Sequence, residues 1–145
     1  MKLITASAAI SFSEKLESDS AEFYKNLTHK FPGTADLCLP FIKENGKFST
    51  AIQRAYYSVI SDALEGCFCF EAVDTDDYTI NTDLADVAAA RDARARAIEI
   101  EQTIVRFYSA AYEASRSLIA DVAMVFRHTA RKRGVRIRTL QSLQE

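Results

Sequence analysis

Beyond Pro40 the chain carries no further proline in its 145 residues, and it holds only four glycines in all. Proline removes a backbone donor and collides with the preceding turn, and glycine costs a helix interior roughly 1 kcal/mol relative to alanine. A chain so poor in both has few places to turn. Long helices are therefore expected, and all-α is the implied class. A hydrophobic fraction of 48% over this length suits one domain spanning residues 1–145. Such a domain buries roughly two-thirds of the surface its unfolded chain exposes.

Apolar periodicity places four helical segments. The first runs from about Ser7 to Lys30, with Ala9, Ser13, Leu16, Ser20, Phe23, Tyr24 and Leu27 on one arc and Pro32-Gly33 as its stop. The second, about Ala35 to Leu64, carries a stripe of Leu37, Phe41, Asn45, Phe48, Ile52, Tyr56, Val59 and Ala63, with Pro40 in or just before its first turn. Residues 65–81 lack helical period and form the one long connection. Asn81, Thr82 and Asp83 offer N-caps for a third helix reaching about Ala114, with Val87, Ala90, Ala97, Ile98, Ile104, Val105 and Tyr108 inward. A fourth begins near Ser115 and turns Leu118, Ile119, Val122, Phe126, Ala130, Ile137 and Leu140 to one side. Gly134 offers a second possible end for it, which would leave the following arginines on a solvated tail. Two helical hairpins with a longer connection between helices 2 and 3 make a four-helix bundle.

Charge is unevenly spread. No Lys or Arg stands between Arg54 and Arg91, where Asp62, Glu65, Glu71, Asp74, Asp76, Asp77, Asp83 and Asp86 do. Arg127, Arg131, Lys132, Arg133, Arg136 and Arg138 crowd the last stretch. An acidic connection and a basic helix are expected to face each other. Nucleic-acid binding is not expected, since the pI is about 5.7 and no base-reading motif accompanies the basic run. The odd count of Cys38, Cys67 and Cys69 points to a reduced, cytoplasmic compartment, and the apolar patch at the start is broken by Thr5 and Ser7. No apolar run approaches the roughly 20 residues a membrane span needs.

The chemistry-bearing feature is a repeat. Glu17 stands seven residues before Tyr24, the second member of a Phe-Tyr pair, and Glu101 stands seven residues before Tyr108, the second member of another. The two copies are offset by 84 residues. Glu17 lies within the first apolar arc and Glu101 in the middle of the third. The segments AISFSEKLESDSAEFYKNL and ARAIEIEQTIVRFYSAAY resemble helices 1 and 3 of the rubrerythrin-like branch of the ferritin-like superfamily. That resemblance implies a ferritin-like bundle in which each such Glu ligates an iron pair, while helices 2 and 4 each add a Glu-x-x-His. It also implies a homodimer, as do the aromatic side chains Phe68, Phe70 and Tyr78 of the long connection, which a lone bundle is not expected to bury fully.

Carried onto this chain, the family's helix 4 positions read Arg133 and Arg136, and the same offset takes them back to Ser49 and Ile52 on helix 2. None is a ligand. Guanidinium has no lone pair to give, so the former metal-site positions Glu17, Ser49, Ile52, Glu101, Arg133 and Arg136 imply a lost iron centre whose two acids are now satisfied by arginine. Tyr24, Tyr108 and Glu44 are candidates to surround it, although tyrosines at helical spacing are commonly plain core. Asp74, Asp76 and Asp77 begin like a calcium loop but lack its Gly at position six and Glu at twelve. Cys67 and Cys69 have no second pair, and no phosphate loop or nucleophile elbow occurs. The expectation is a non-catalytic structural or binding bundle without a cofactor. The alternative is a divergent iron oxidoreductase that recruits Glu44, His128 or the cysteines.

Overall fold

The computed structural model describes residues 1–3, 5–59, 70 and 72–143. Ala63, Cys67, Phe68 and Cys69, on which some expectations rested, lie outside the described residues, as do Asp62, Glu65 and Glu71. Four long helices dominate: α1 (Ala6–Lys30), α2 (Ala35–Val59), α3 (Ala90–Ser115) and α4 (Ala120–Ser142). A short antiparallel pairing of β1 (Lys2–Leu3) with β2 (Val73–Asp74) accompanies them. The chain is an all-α four-helix bundle with its longest connection between α2 and α3.

Hydrogen bonds between helices fix their directions. Asn45 reaches Ser20, and Gln53 reaches Glu14, so α2 runs back along α1. Tyr108 reaches Glu17 and Tyr24 reaches Glu101, so α3 is also antiparallel to α1. Hence α2 and α3 are parallel, and the chain must travel the length of the bundle between them. The described part of that crossover shows the route. It pairs with Lys2–Leu3 beside the start of α1, passes Tyr78 over Phe107 of α3, and brings the Leu84 carbonyl to Lys30 Nζ at the end of α1.

The first helix follows its apolar arc closely: Ala9, Ser13, Leu16, Ser20, Phe23, Tyr24 and Leu27 are all buried, and the Thr5 hydroxyl caps the start by accepting from the Ala8 amide at 3.2 Å. The second helix starts at Ala35 and the third ends at Ser115, as the sequence reading has them within a residue, and other features depart from that reading. Pro40 lies inside α2 rather than at its edge, with the 3-10 turn Pro32–Thr34 leading directly into Ala35. The third helix begins at Ala90, not near Asn81. The reason is that Asn81 and Asp83 spend their carboxamide and carboxylate on local turns, accepting from the Asp83 and Ala85 amides. Leu84 and Val87 are thus buried from a turn-containing segment ahead of the helix, and Ala90 is exposed.

At the second hairpin Ser115 closes α3 instead of opening α4, its hydroxyl donating to the Ala111 carbonyl at 2.6 Å. The turn that follows buries Ile119 and leaves Leu118 59% exposed, contrary to the expected inward position. Gly134 does not end α4, which continues to Ser142 and keeps Arg133 and Arg136 inside the bundle.

Of the connection's aromatics Phe70 and Tyr78 are among the described residues, and the chain itself covers them in large part. Phe70 is buried against Phe126, and Tyr78 is half-buried on Phe107. Phe70 thus leaves no unburied aromatic surface and Tyr78 leaves only part of its ring exposed. Among the described acids of the connection, Asp74 and Asp76 hold the terminal ammonium at 2.9 and 3.0 Å, and Asp86 pairs with Arg96 of α3 at 3.3 Å, not with the basic fourth helix. Asp74 further accepts from the Asp76 amide, so these acids organise a turn.

Candidate functional site: a buried arginine–carboxylate centre

Seven residues separate Glu17 from Tyr24 and Glu101 from Tyr108, almost two full helical turns, so each acid shares a face with its tyrosine about 10 Å away along the axis. Two such helices running antiparallel place the acid of each beside the tyrosine of the other. The bonds run crosswise as that geometry requires. Tyr24 donates to Glu101 Oε2 at 2.7 Å, and Tyr108 donates to Glu17 Oε2 at 2.6 Å. All four side chains are buried.

The remaining carboxylate oxygens face α4. Arg133, with no exposed surface, spans the two acids, donating from Nη1 to Glu101 Oε1 at 2.5 Å and from Nη2 to Glu17 Oε1 at 2.6 Å. One turn on, Arg136 donates to Glu101 Oε2 at 3.2 Å, to Asn45 Oδ1 at 2.8 Å and to Glu44 Oε1 at 2.7 Å. Two buried acids therefore meet two buried guanidinium groups, and the fully buried centre is neutral. Such pairs are tolerable only when their remaining donors and acceptors are also satisfied. Asn45 meets part of that need by donating to Ser20 Oγ at 2.8 Å and to the Glu17 carbonyl at 3.2 Å.

The Nε groups of Arg133 and Arg136 find no acceptor. Aromatic faces cover the guanidinium planes instead. Arg136 lies 4.5 Å from the Phe41 centroid and 5.7 Å from those of Tyr24 and Phe48, and Arg133 lies 5.4 Å from Phe48. The negative face of each ring attracts the cation, by about 2 kcal/mol where both are desolvated.

Protonation follows from this geometry. Burial opposes the charge on Glu101, but Arg133 and Arg136 outweigh it and hold the carboxyl below its ordinary value. Burial, reinforced by the neighbouring carboxylates, pushes the Tyr24 and Tyr108 hydroxyls well above theirs. Burial works against the charge on Arg133, yet Glu101 and Glu17 raise its pKa. At neutral pH the centre is ionic, with tyrosines that donate and do not ionise.

Among the positions taken from the sequence, the fold brings together Glu17, Glu101, Arg133, Arg136, Tyr24, Tyr108 and Glu44. Ile52 belongs to the apolar core and Ser49 is half-buried, and among the described residues no hydrogen bond ties either to the centre. The second helix contributes Asn45 in their stead, one turn before Ser49. Its signal was present as the single carboxamide within an apolar stripe. Glu17 does not reach out to water, being 2% exposed. His29 and His128 are exposed, and neither hydrogen-bonds Glu17 or Glu101. Cys38 is buried, and that burial raises its thiol pKa.

Taken together, the crossover bundle and the ionic knot at its middle define a four-helix bundle with a buried arginine–carboxylate centre. Compared with protein-family models, curated proteins and solved structures, the chain has no match. No described helix is long and apolar enough to cross a membrane.

Proposed function

We propose that the chain is a ferritin-like bundle in which arginine occupies the place of an iron pair, and that it serves as a non-catalytic binding or structural protein. The single long crossover between parallel helices 2 and 3 supports the ferritin-like reading, because that connectivity distinguishes ferritin-like bundles from simple up-and-down ones. The observation that carries the functional reading is the position of Arg133, whose guanidinium bridges Glu17 and Glu101.

The residues present do not fit a resident iron pair. A diiron site asks for several carboxylates and imidazoles with free lone pairs. Here every oxygen of Glu17 and Glu101 already accepts a short hydrogen bond, and the bridging group carries a permanent positive charge without a lone pair. Among the described residues, no three His, Cys, Asp or Glu side chains converge as a ligand set.

Protein purified after iron-supplemented growth is expected to be colourless and to hold less than about half an equivalent of iron, because binding a pair would require expelling Arg133 from a site it neutralises. Metal analysis yielding two tightly held equivalents per chain would overturn the proposal.

A further inference from the structure

Beside the centre, and sharing Arg136 and Glu44 with it, the most distinctive feature is a groove along the seam between α2 and α4. It consists of two adjoining hollows of about 450 and 420 Å³ that share Glu44, His128 and Lys132. The first has an apolar wall in Phe41 and Val135, and Val135 is half exposed. The second continues over Phe48 and Ala51. Four exposed cations, Lys43, Lys47, Arg131 and Lys132, stand along it against one carboxylate, that of Glu44.

The deep end of the first hollow is Arg136, which is buried and has an Nε without an acceptor. Its contact towards the groove is Glu44, whose side chain is 33% exposed. The groove thus combines a buried guanidinium at one wall, an apolar face above it, and exposed ammonium groups on both rims.

We propose that this groove binds a small amphiphilic carboxylate, with its hydrocarbon on Phe41 and Val135 and its anionic head among Lys43, Lys132 and Arg136. Each hollow falls in the size range of single-ligand sites, and sites of this kind pair apolar walls with a few placed polar groups. The cations select a negative head, and Glu44 acts as the internal carboxylate that the ligand's head competes with for Arg136. A nucleic acid fits less well, because it requires a repeating row of phosphate contacts rather than an apolar wall. The inference rests on reading the bundle as a binding protein, and the two fail separately: bound iron overturns the first, absence of carboxylate binding the second.

The test uses decanoate, decanol and decylamine, with 8-anilinonaphthalene-1-sulfonate as an anionic fluorescent probe. The chain contains no tryptophan, so probe emission is read against a low background. Decanoate is expected to displace the probe with a Kd below about 100 μM, and decanol and decylamine to bind at least about tenfold more weakly. Amide shifts are expected at Val135 and Thr139, which line the first hollow.

Lys132→Glu, at an exposed position, is expected to weaken decanoate about tenfold while leaving the thermal midpoint unchanged, and Glu44→Gln to tighten it several-fold by removing the competing carboxylate. Equal affinity for decanol, indifference to Lys132→Glu in folded protein, or displacement of decanoate by an acidic polypeptide or an oligonucleotide at equal charge concentration would each overturn the proposal.

Discussion

Arg133 satisfies two acids from the antiparallel helices α1 and α3, and its worth differs from that of an ordinary ion pair. A surface pair contributes about 0 to 1 kcal/mol, whereas removing one member of a buried pair strands the other charge and costs about 3 to 5 kcal/mol. Arg133→Ala and Glu101→Ala are therefore each expected to lower stability by about 3 to 5 kcal/mol, and the double variant to lose clearly less than the sum, because the second removal takes away a charge already stranded. Arg131→Ala, on the exposed face, should change little. Urea denaturation of the parent and these four variants decides the matter: additive losses under about 1 kcal/mol would mean the bridge does not hold in solution. Much of this was legible in the residues. An acid in the centre of an apolar stripe must find a partner, and arginines on an inward face are the partners that suit it. The crosswise tyrosine bonds were not legible, because spacing along one helix says nothing about the direction of the next.

At the scale of elements, the middles of the helices were legible in the sequence, as were both ends of α1, the start of α2 and the end of α3, while the starts of α3 and α4 were not. Periodicity integrates over many residues, as in α1, where the whole apolar arc is buried. A boundary depends on one or two side chains choosing between the helix and a local turn. Asn81 and Asp83 chose turns, and Ser115 chose the end of α3 over the start of α4. Gly134 illustrates the converse, a residue with stop chemistry that the helix ignores. It has no positive φ, and a Cβ built there meets only Arg138 Nη1, at 4.0 Å. Glycine in such a helix interior pays backbone entropy and returns no packing. Gly134→Ala is therefore expected to stabilise the protein by about 0.5 to 1 kcal/mol, read as a higher urea midpoint at unchanged slope. A loss of stability would show that α4 does not run straight through this position. The same substitution leaves Arg133 and Arg136 on the inward face, so the double-variant comparison at Arg133 and Glu101 should give the same coupling in its background.

For the whole molecule, every helix sends a side chain to one point: Glu17 from α1, Asn45 from α2, Glu101 from α3 and Arg133 from α4. Protonation of that point should therefore be felt by the bundle as a unit, and at both ends of the pH scale. The Glu101 pKa is lowered in the fold, so in acid the unfolded chain binds the proton more readily. Its stabilisation is complete above the unfolded value of about 4.3 and is lost as pH falls through the lower folded value. The hydroxyls of Tyr24 and Tyr108 are raised in the fold, so in alkali the unfolded chain loses protons that the fold retains. Their contribution is complete below the unfolded value of about 10 and is lost as pH rises through the folded one. Stability should form a plateau between these limits and fall on each side, with helix content and tertiary signal disappearing together. The two limbs are separable. Replacing both tyrosines by phenylalanine removes the ionisable hydroxyls and with them one hydrogen-bond donor to each acid, which lowers the plateau by about 1 to 3 kcal/mol per hydroxyl. It should also flatten the alkaline limb while leaving the acid limb in place. Urea midpoints of the parent and of this double variant across the pH range test the scheme. An alkaline limb equally steep in both would mean that Tyr24 and Tyr108 ionise within the folded bundle and do not donate to Glu101 and Glu17.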